Sequence, residues 1–200
     1  MIRRPVPMTA SSAAIAVLAA IGLTVAPPSA AAADRDGLTA EKAARGKYLV
    51  STSGCMDCHT PMKMTPNGPE WDMSRMLSGH PENLKMPPAP ALPQGPWLVV
   101  SSATNTAFAG PWGVSFTANL TPDPETGLGA WTVQDFKNTI RTGRHLGRGR
   151  AVLPPMPIPV YGNFSDEDLE SIFAYLRTLP PVKNRVPEPW APAETTAAPK

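Results

Sequence analysis

Cys55-Met56-Asp57-Cys58-His59 contains both cysteines of a 200-residue chain. Two thiols three positions apart can meet the two vinyl groups of one haem, and the imidazole that follows is placed to ligate the iron. Plainer readings compete. A disulfide needs only the two cysteines. A zinc site needs about four ligands, and the chain offers no second Cys pair. A thioredoxin-like redox pair should sit between a hydrophobic strand and a helix, and no strand-like run precedes Cys55. With His59 at the required position, the expectation is a single haem c, covalently attached through Cys55 and Cys58 and ligated by His59.

Upstream, residues 1–33 carry Arg3 and Arg4, then an apolar run over residues 13–26, then Pro27-Pro28-Ser29 and a row of alanines. This is the layout of a cleavable secretory signal, and the small residues Ala31 to Ala33 predict cleavage before Asp34. The run is shorter than the roughly 18 residues that would span a bilayer. Export agrees with haem c, whose attachment is expected outside the bacterial cytoplasm. Without the two signal arginines, 18 basic residues become 16 and balance the 16 acidic ones, a neutrality that argues against nucleic acid as a partner. Proline is abundant, at 26 residues, and aromatics are few. A buried porphyrin would supply apolar mass that the polypeptide lacks.

Thr39 is placed to cap a helix over residues 40–50, on which Tyr48 reads as a core residue and Gly46 admits a close neighbour. Ser53-Gly54 ends it. Residues 60–69 are a series of turn signals, and Pro61 is placed to fix a carbonyl that accepts the His59 Nδ1–H. Residues 70–96 lack both helical period and strand alternation, so residues 61–118 read as a long Pro-rich irregular insertion that wraps the domain. Residues 97–102 and 114–116 are short strand-like runs that would form a small hairpin. Thr132 with Asp135 predicts a helix over residues 133–141, and Ser165 with Asp168 predicts another over 166–178. Asp123 and Glu125 are too few acidic residues for a calcium loop. Beyond Val186 the composition predicts an extended strap and then a flexible tail over residues 188–200.

Leu153-Pro154-Pro155-Met156-Pro157 frames one methionine with prolines, which restricts its backbone and can aim the thioether at a metal rather than into the core. Met156 is therefore the expected sixth ligand, with His80, His145 and the methionines between Met62 and Met86 as competitors. A thioether ligand raises the potential and favours electron transfer over oxygen chemistry. Lys137, Arg141, Arg144, Arg148 and Arg150, with no acidic residue among them, read as a docking patch, as partners for haem propionates or simply as a solvated face.

Taken together, these residues carry a resemblance. Arg45-Gly46-Lys47-Tyr48-Leu49, the haem motif with Thr60-Pro61, Asn119-Leu120-Thr121-Pro122-Asp123 with Gly127-Leu128-Gly129-Ala130-Trp131, the Met156 segment, and Ser165-Asp166-Glu167-Asp168-Leu169 through Arg177 resemble class I c-type cytochromes. More narrowly, they are similar to the single-haem units of cytochrome c subunits of periplasmic membrane-bound dehydrogenases. The resemblance implies an all-α class I cytochrome c fold over residues 34–187. The first and last helices would cross there, with Gly46 and Tyr48 against the face formed by residues 173–176, and His59 and Met156 would be the axial ligands. It also implies a periplasmic electron carrier without substrate chemistry, working between a dehydrogenase and a terminal oxidase or other cytochrome. Membrane association would come through a partner. The chain has one CxxCH where those subunits carry several. The expected insertion would cover a haem edge or form a partner surface. The alternatives are a haem enzyme or gas sensor with an open or His-ligated sixth position, and a subunit of a larger dehydrogenase complex.

Overall fold

A computed structural model describes residues 38–90 and 95–192. The expected signal at residues 1–33 and the tail residues 193–200 lie outside the described residues. Helix α1 spans Ala40–Thr52, where the Thr39 side chain accepts from the Lys42 N–H at 3.2 Å and so satisfies an otherwise orphaned donor. Gly54, at φ 73, turns the chain sharply into the short helix α2, Cys55–His59. Helix α3, Val133–Thr142, starts on a reciprocal capping box between Thr132 and Asp135. A single turn, α4 (Ile158–Tyr161), follows Pro157. Helix α5, Asp166–Thr178, is capped by Ser165, and its three acidic residues sit at the positive end of the helix dipole.

The main core lies where α5 meets α1 and α3, with Leu169, Phe173 and Leu176 at 1% exposure or less. Gly46 makes the α1/α5 crossing close: a methyl group there would overlap the Ser171 carbonyl and stand 2.9 Å from Tyr175 Cβ. Lys42–Glu170 at 2.7 Å and Arg45–Asp168 at 2.5 Å link the two helices at their solvent edges. Tyr48 is not part of this contact. It is 63% exposed, because its position on α1 faces away from α5.

The expectation of an all-α fold is overturned by the insertion, and the fold is mixed α/β. Strands β1 (Met62–Thr65) and β2 (Gly68–Trp71) pair antiparallel around Pro66-Asn67. Strands β3 (Val100–Ser101), β4 (Ala107–Gly110) and β5 (Gly113–Phe116) make a second antiparallel sheet in the order β3-β4-β5. The physical reason is local. A stretch interrupted so often by proline cannot run as a helix, and its backbone donors and acceptors are satisfied instead in short strand ladders. The strand-like runs at residues 97–102 and 114–116 hold β3 and β5, but the two do not pair as a hairpin, because β4 lies between them. Strands β1 and β2, solvated on both faces, and β4 gave no alternating pattern.

The chain after α5 is extended and is bound to the insertion by buried polar groups. Asn184, fully buried, donates to the Ser78 and His80 carbonyls at 2.7 and 2.9 Å and accepts from Arg75 and from the Glu82 N–H. Trp190 exchanges two backbone hydrogen bonds with Val114 of β5, at 2.9 and 3.0 Å. The region read as the start of a flexible tail thus includes a residue paired to a sheet.

Candidate functional site

A cavity of about 1320 Å³ opens between the helices and the insertion. Drug-sized pockets are roughly 300–1,000 Å³, so the space suits a larger group. Its apolar wall comes from Leu128, from Phe136 and Ile140 of α3, and from Leu169, Ile172 and Leu176 of α5. Cys55, Cys58 and His59 of α2 line it together with Met156, so the structure brings all four expected site residues to one cavity.

His59 is buried, and its Nδ1 lies 2.8 Å from the Ala118 carbonyl. A carbonyl can only accept, which makes Nδ1 the protonated nitrogen and leaves the lone pair on Nε2 for a metal. Burial also holds the ring below its ordinary pKa, in the neutral form that ligation requires. The accepting carbonyl was expected near Pro61. The Pro61 oxygen is instead taken by the Asp72 N–H at 2.8 Å, and the partner of His59 comes from a residue 59 positions later. The Asn119-Leu120-Thr121-Pro122 stretch, at the exit of the insertion, was the available sign that residue 118 sits at a structured corner.

Cys55 and Cys58 are not joined to each other. Burial pushes the Cys55 thiol up to about 11, and burial followed by the nearby Asp57 charge raises Cys58 as well. Thioredoxin-type reactivity requires a depressed thiol pKa, and these thiols lie in the opposite direction. Paired thiols on one helical turn, an oriented neutral imidazole and a large apolar cavity are a donor set that fits a covalently held haem.

Met156 is half-buried, and its carbonyl accepts from the Ile158 N–H at 2.9 Å. His80, one of its competitors, has both ring nitrogens engaged, Nδ1 with Thr106 Oγ1 at 2.9 Å and Nε2 with the Leu84 carbonyl at 3.1 Å. It packs on Phe116 with ring centroids 4.8 Å apart and is not among the residues that line the cavity. His145 does line the cavity, edge-on to Trp131 at 5.1 Å. The chain is similar to c-type cytochromes. It is 29% identical over 147 residues to the "Alcohol dehydrogenase (quinone), cytochrome c subunit" of Gluconobacter oxydans, covering 72% of this chain and 23% of that protein. Similarity to the "Fructose dehydrogenase cytochrome subunit" of Gluconobacter japonicus is 26% over 196 residues, 94% of this chain and 32% of the other. The "Diheme cytochrome c-type" of Cereibacter sphaeroides is 28% identical over 185 residues, 91% of this chain and 51% of that one. The chain thus spans no more than about a third of these two dehydrogenase relatives and about half of the diheme protein. No family model matches it.

The basic cluster does not stand as one patch. Lys137 lies 2.7 Å from Asp166 and 3.1 Å from Glu170, and Arg141 lies 2.7 Å from Asp166. Arg150 faces Glu188 at 3.3 Å, both at the cavity lining. Among the described residues, Arg144 and Arg148 hydrogen-bond only to backbone carbonyls. Asp123 caps its own loop, accepting from the Thr126 hydroxyl at 2.6 Å, and Glu125 pairs with Lys183 at 2.8 Å. Both carboxylates are therefore used in loop structure, and among the described residues no acidic, Cys and His cluster forms a metal site. No helix among those residues is long and apolar enough to cross a membrane.

Proposed function

We propose that this chain is a mono-haem c-type cytochrome that passes single electrons between a dehydrogenase and a terminal acceptor in the periplasm. His59 and Met156 would be its axial ligands, and it would have no substrate chemistry of its own. The observation that carries the reading is the convergence of the Cys55–His59 turn and Met156 on one apolar cavity, with His59 already oriented by Ala118. Haem, when bound, supplies a one-electron couple at iron. Cys55 and Cys58 would tether it, and the Nδ1–H bond to Ala118 would hold the ring in place and raise the basicity of Nε2. The apolar walls contributed by α3 and α5 would limit the access of water to the group held there. Similarity to dehydrogenase cytochrome subunits supports an electron-transfer subunit or partner rather than the dehydrogenase itself. The single CxxCH supports one haem for these 200 residues. The expected signal supports export, with any membrane association coming through a partner.

The reading is tested by spectra of the purified holoprotein in both oxidation states. A low-spin iron with the far-red thioether-to-iron band, lost in Met156→Ala, is the expected result; an unchanged Met156→Ala spectrum overturns it. His145 on the cavity lining supports a second reading, in which a histidine takes the sixth position. In that case His145→Ala, rather than Met156→Ala, would convert the iron to a high-spin, carbon monoxide-binding form.

A further inference from the structure

The loop that presents Met156 has little means of anchoring itself. Pro154, Pro155 and Pro157 have no N–H, so three of the four residues around the methionine cannot donate a backbone hydrogen bond. At the loop's start, the Val152 N–H reaches the Gly143 carbonyl at 2.8 Å; at its far end, the Tyr161 hydroxyl donates to the Ser53 carbonyl. Between them, two residues from Met156, the Pro154 carbonyl accepts from Ser115 Oγ at 2.6 Å. Ser115 is buried on β5, the strand fixed on one side to β4 and on the other to Trp190. Three residues further on, Ala118 supplies the carbonyl that orients His59. Gly79 holds this exit in place: its N–H donates to the His59 carbonyl at 2.8 Å, and a side chain on it would overlap the Thr117 and Ala118 carbonyls.

We propose that residues 115–118 form a brace between His59 and the Met156 loop, with Ser115 as the positioning residue that holds that loop through Pro154. The inference rests on the His59 and Met156 ligation proposed above. It gives the insertion a role in the site, because the sixth-ligand loop is tied to the same short segment that sets the fifth ligand. Removing the Ser115 hydroxyl leaves the Pro154 carbonyl without its donor, and Met156 would then be held less firmly where it could ligate iron.

The test uses ferric holoprotein titrated with imidazole, which competes for the sixth position. Loss of one partly buried hydrogen bond should tighten apparent imidazole binding about tenfold in Ser115→Ala and weaken the far-red band, while Ser115→Thr, which keeps the hydroxyl, should behave as wild type. Val114→Ala, on the same strand, removes side-chain packing in the Ala107–Phe116 cluster while keeping the backbone bonds to Trp190, and should lower thermal stability and leave imidazole affinity unchanged. Wild-type affinity and an intact band in Ser115→Ala overturn the brace while sparing the ligation reading. A wild-type spectrum without the band overturns the ligation reading, and the brace with it. If Ser115→Ala fails to load haem, Ser115→Thr decides: wild-type affinity supports the role of the hydroxyl, and weakened ligation in a folded protein overturns it.

Discussion

The α1/α5 crossing and the insertion with its strap enclose one cavity, and they are held by different forces. At the crossing, Leu169, Phe173 and Leu176 are buried against α1 and α3, the backbones come close at Gly46, and charged pairs sit at the rim. In the insertion, the turn that follows it and the strap, the buried apolar cluster is small, built on Ala107, Val114 and Phe116, and much of the interior is polar: Thr106, His80, Asn119, Thr121 and Asn184. Apolar burial is non-directional and tolerates adjustment, whereas a buried amide has to find partners at set distances or lose the free energy of desolvation. The helical half can therefore bear much of the stability, while the polar half can hold a carbonyl or a loop in one place.

The sharpest way to break the helical half is Gly46→Leu. The new side chain would meet the Ser171 carbonyl, which is backbone and cannot swing away, so the two helices must separate. A loss of about 3 kcal/mol or more is expected, enough to prevent accumulation of folded protein, read from thermal unfolding and haem content. The corresponding strike on the insertion is Asn184→Ala. It strands the Ser78 and His80 carbonyls and the Glu82 N–H, and about 2–3 kcal/mol should be lost in chemical denaturation. If the two regions differ as described, this variant should also release the strap to protease near Trp190 while the helical signal in circular dichroism persists. Equal loss of both signals would make them one cooperative unit.

Acid should separate the two regions more gently. Hydrogen bonds from Arg141 and then Lys137 hold the Asp166 carboxyl below its ordinary range, and Lys42 and Lys137 do the same for Glu170. A carboxylate with a depressed folded pKa contributes stability that is complete above its unfolded pKa and is lost as pH falls through the folded one. The denaturation midpoint should therefore decline below about pH 5, and do so less steeply in 0.5 M salt or in Lys137→Met. The Asn184 amide does not titrate, but burial holds His80, whose carbonyl it binds, below its ordinary pKa, and a histidine kept neutral in the fold costs stability as pH falls through its unfolded value. Protease protection of the strap should therefore weaken at or before the pH at which the helices give way, and helix loss preceding strap release would reverse that assignment.

Legibility in the sequence follows the same division. Thr39, Thr132 and Ser165 start α1, α3 and α5 as read, because a cap and a 3.6-residue apolar period are local properties of the chain. Tyr48 was misread because periodicity gives a face without saying what covers it. Strands β3 and β5 fall within runs read as strand-like, but the all-α expectation failed because β1, β2 and β4, at four residues each, have no period to detect, and pairing depends on residues outside each run. Asn184, which holds the strap to the insertion, stands in a run of Pro, Lys, Asn and Arg that reads as loop.

The sequence by itself determined that Cys55, Cys58 and His59 lie within five residues at the spacing one haem requires, that Met156 is framed by prolines, and where three helices begin. Spacing, capping and proline geometry act within a few residues, and no fold is needed to know them. Only the tertiary structure decided that Ala118, not the backbone at Pro61, accepts the His59 proton, that His80 is tied into the insertion while His145 faces the cavity, and that Ser115 holds the Met156 loop. Each of these is a hydrogen bond or a burial across tens of residues, and its partner exists only once the chain has folded back on itself.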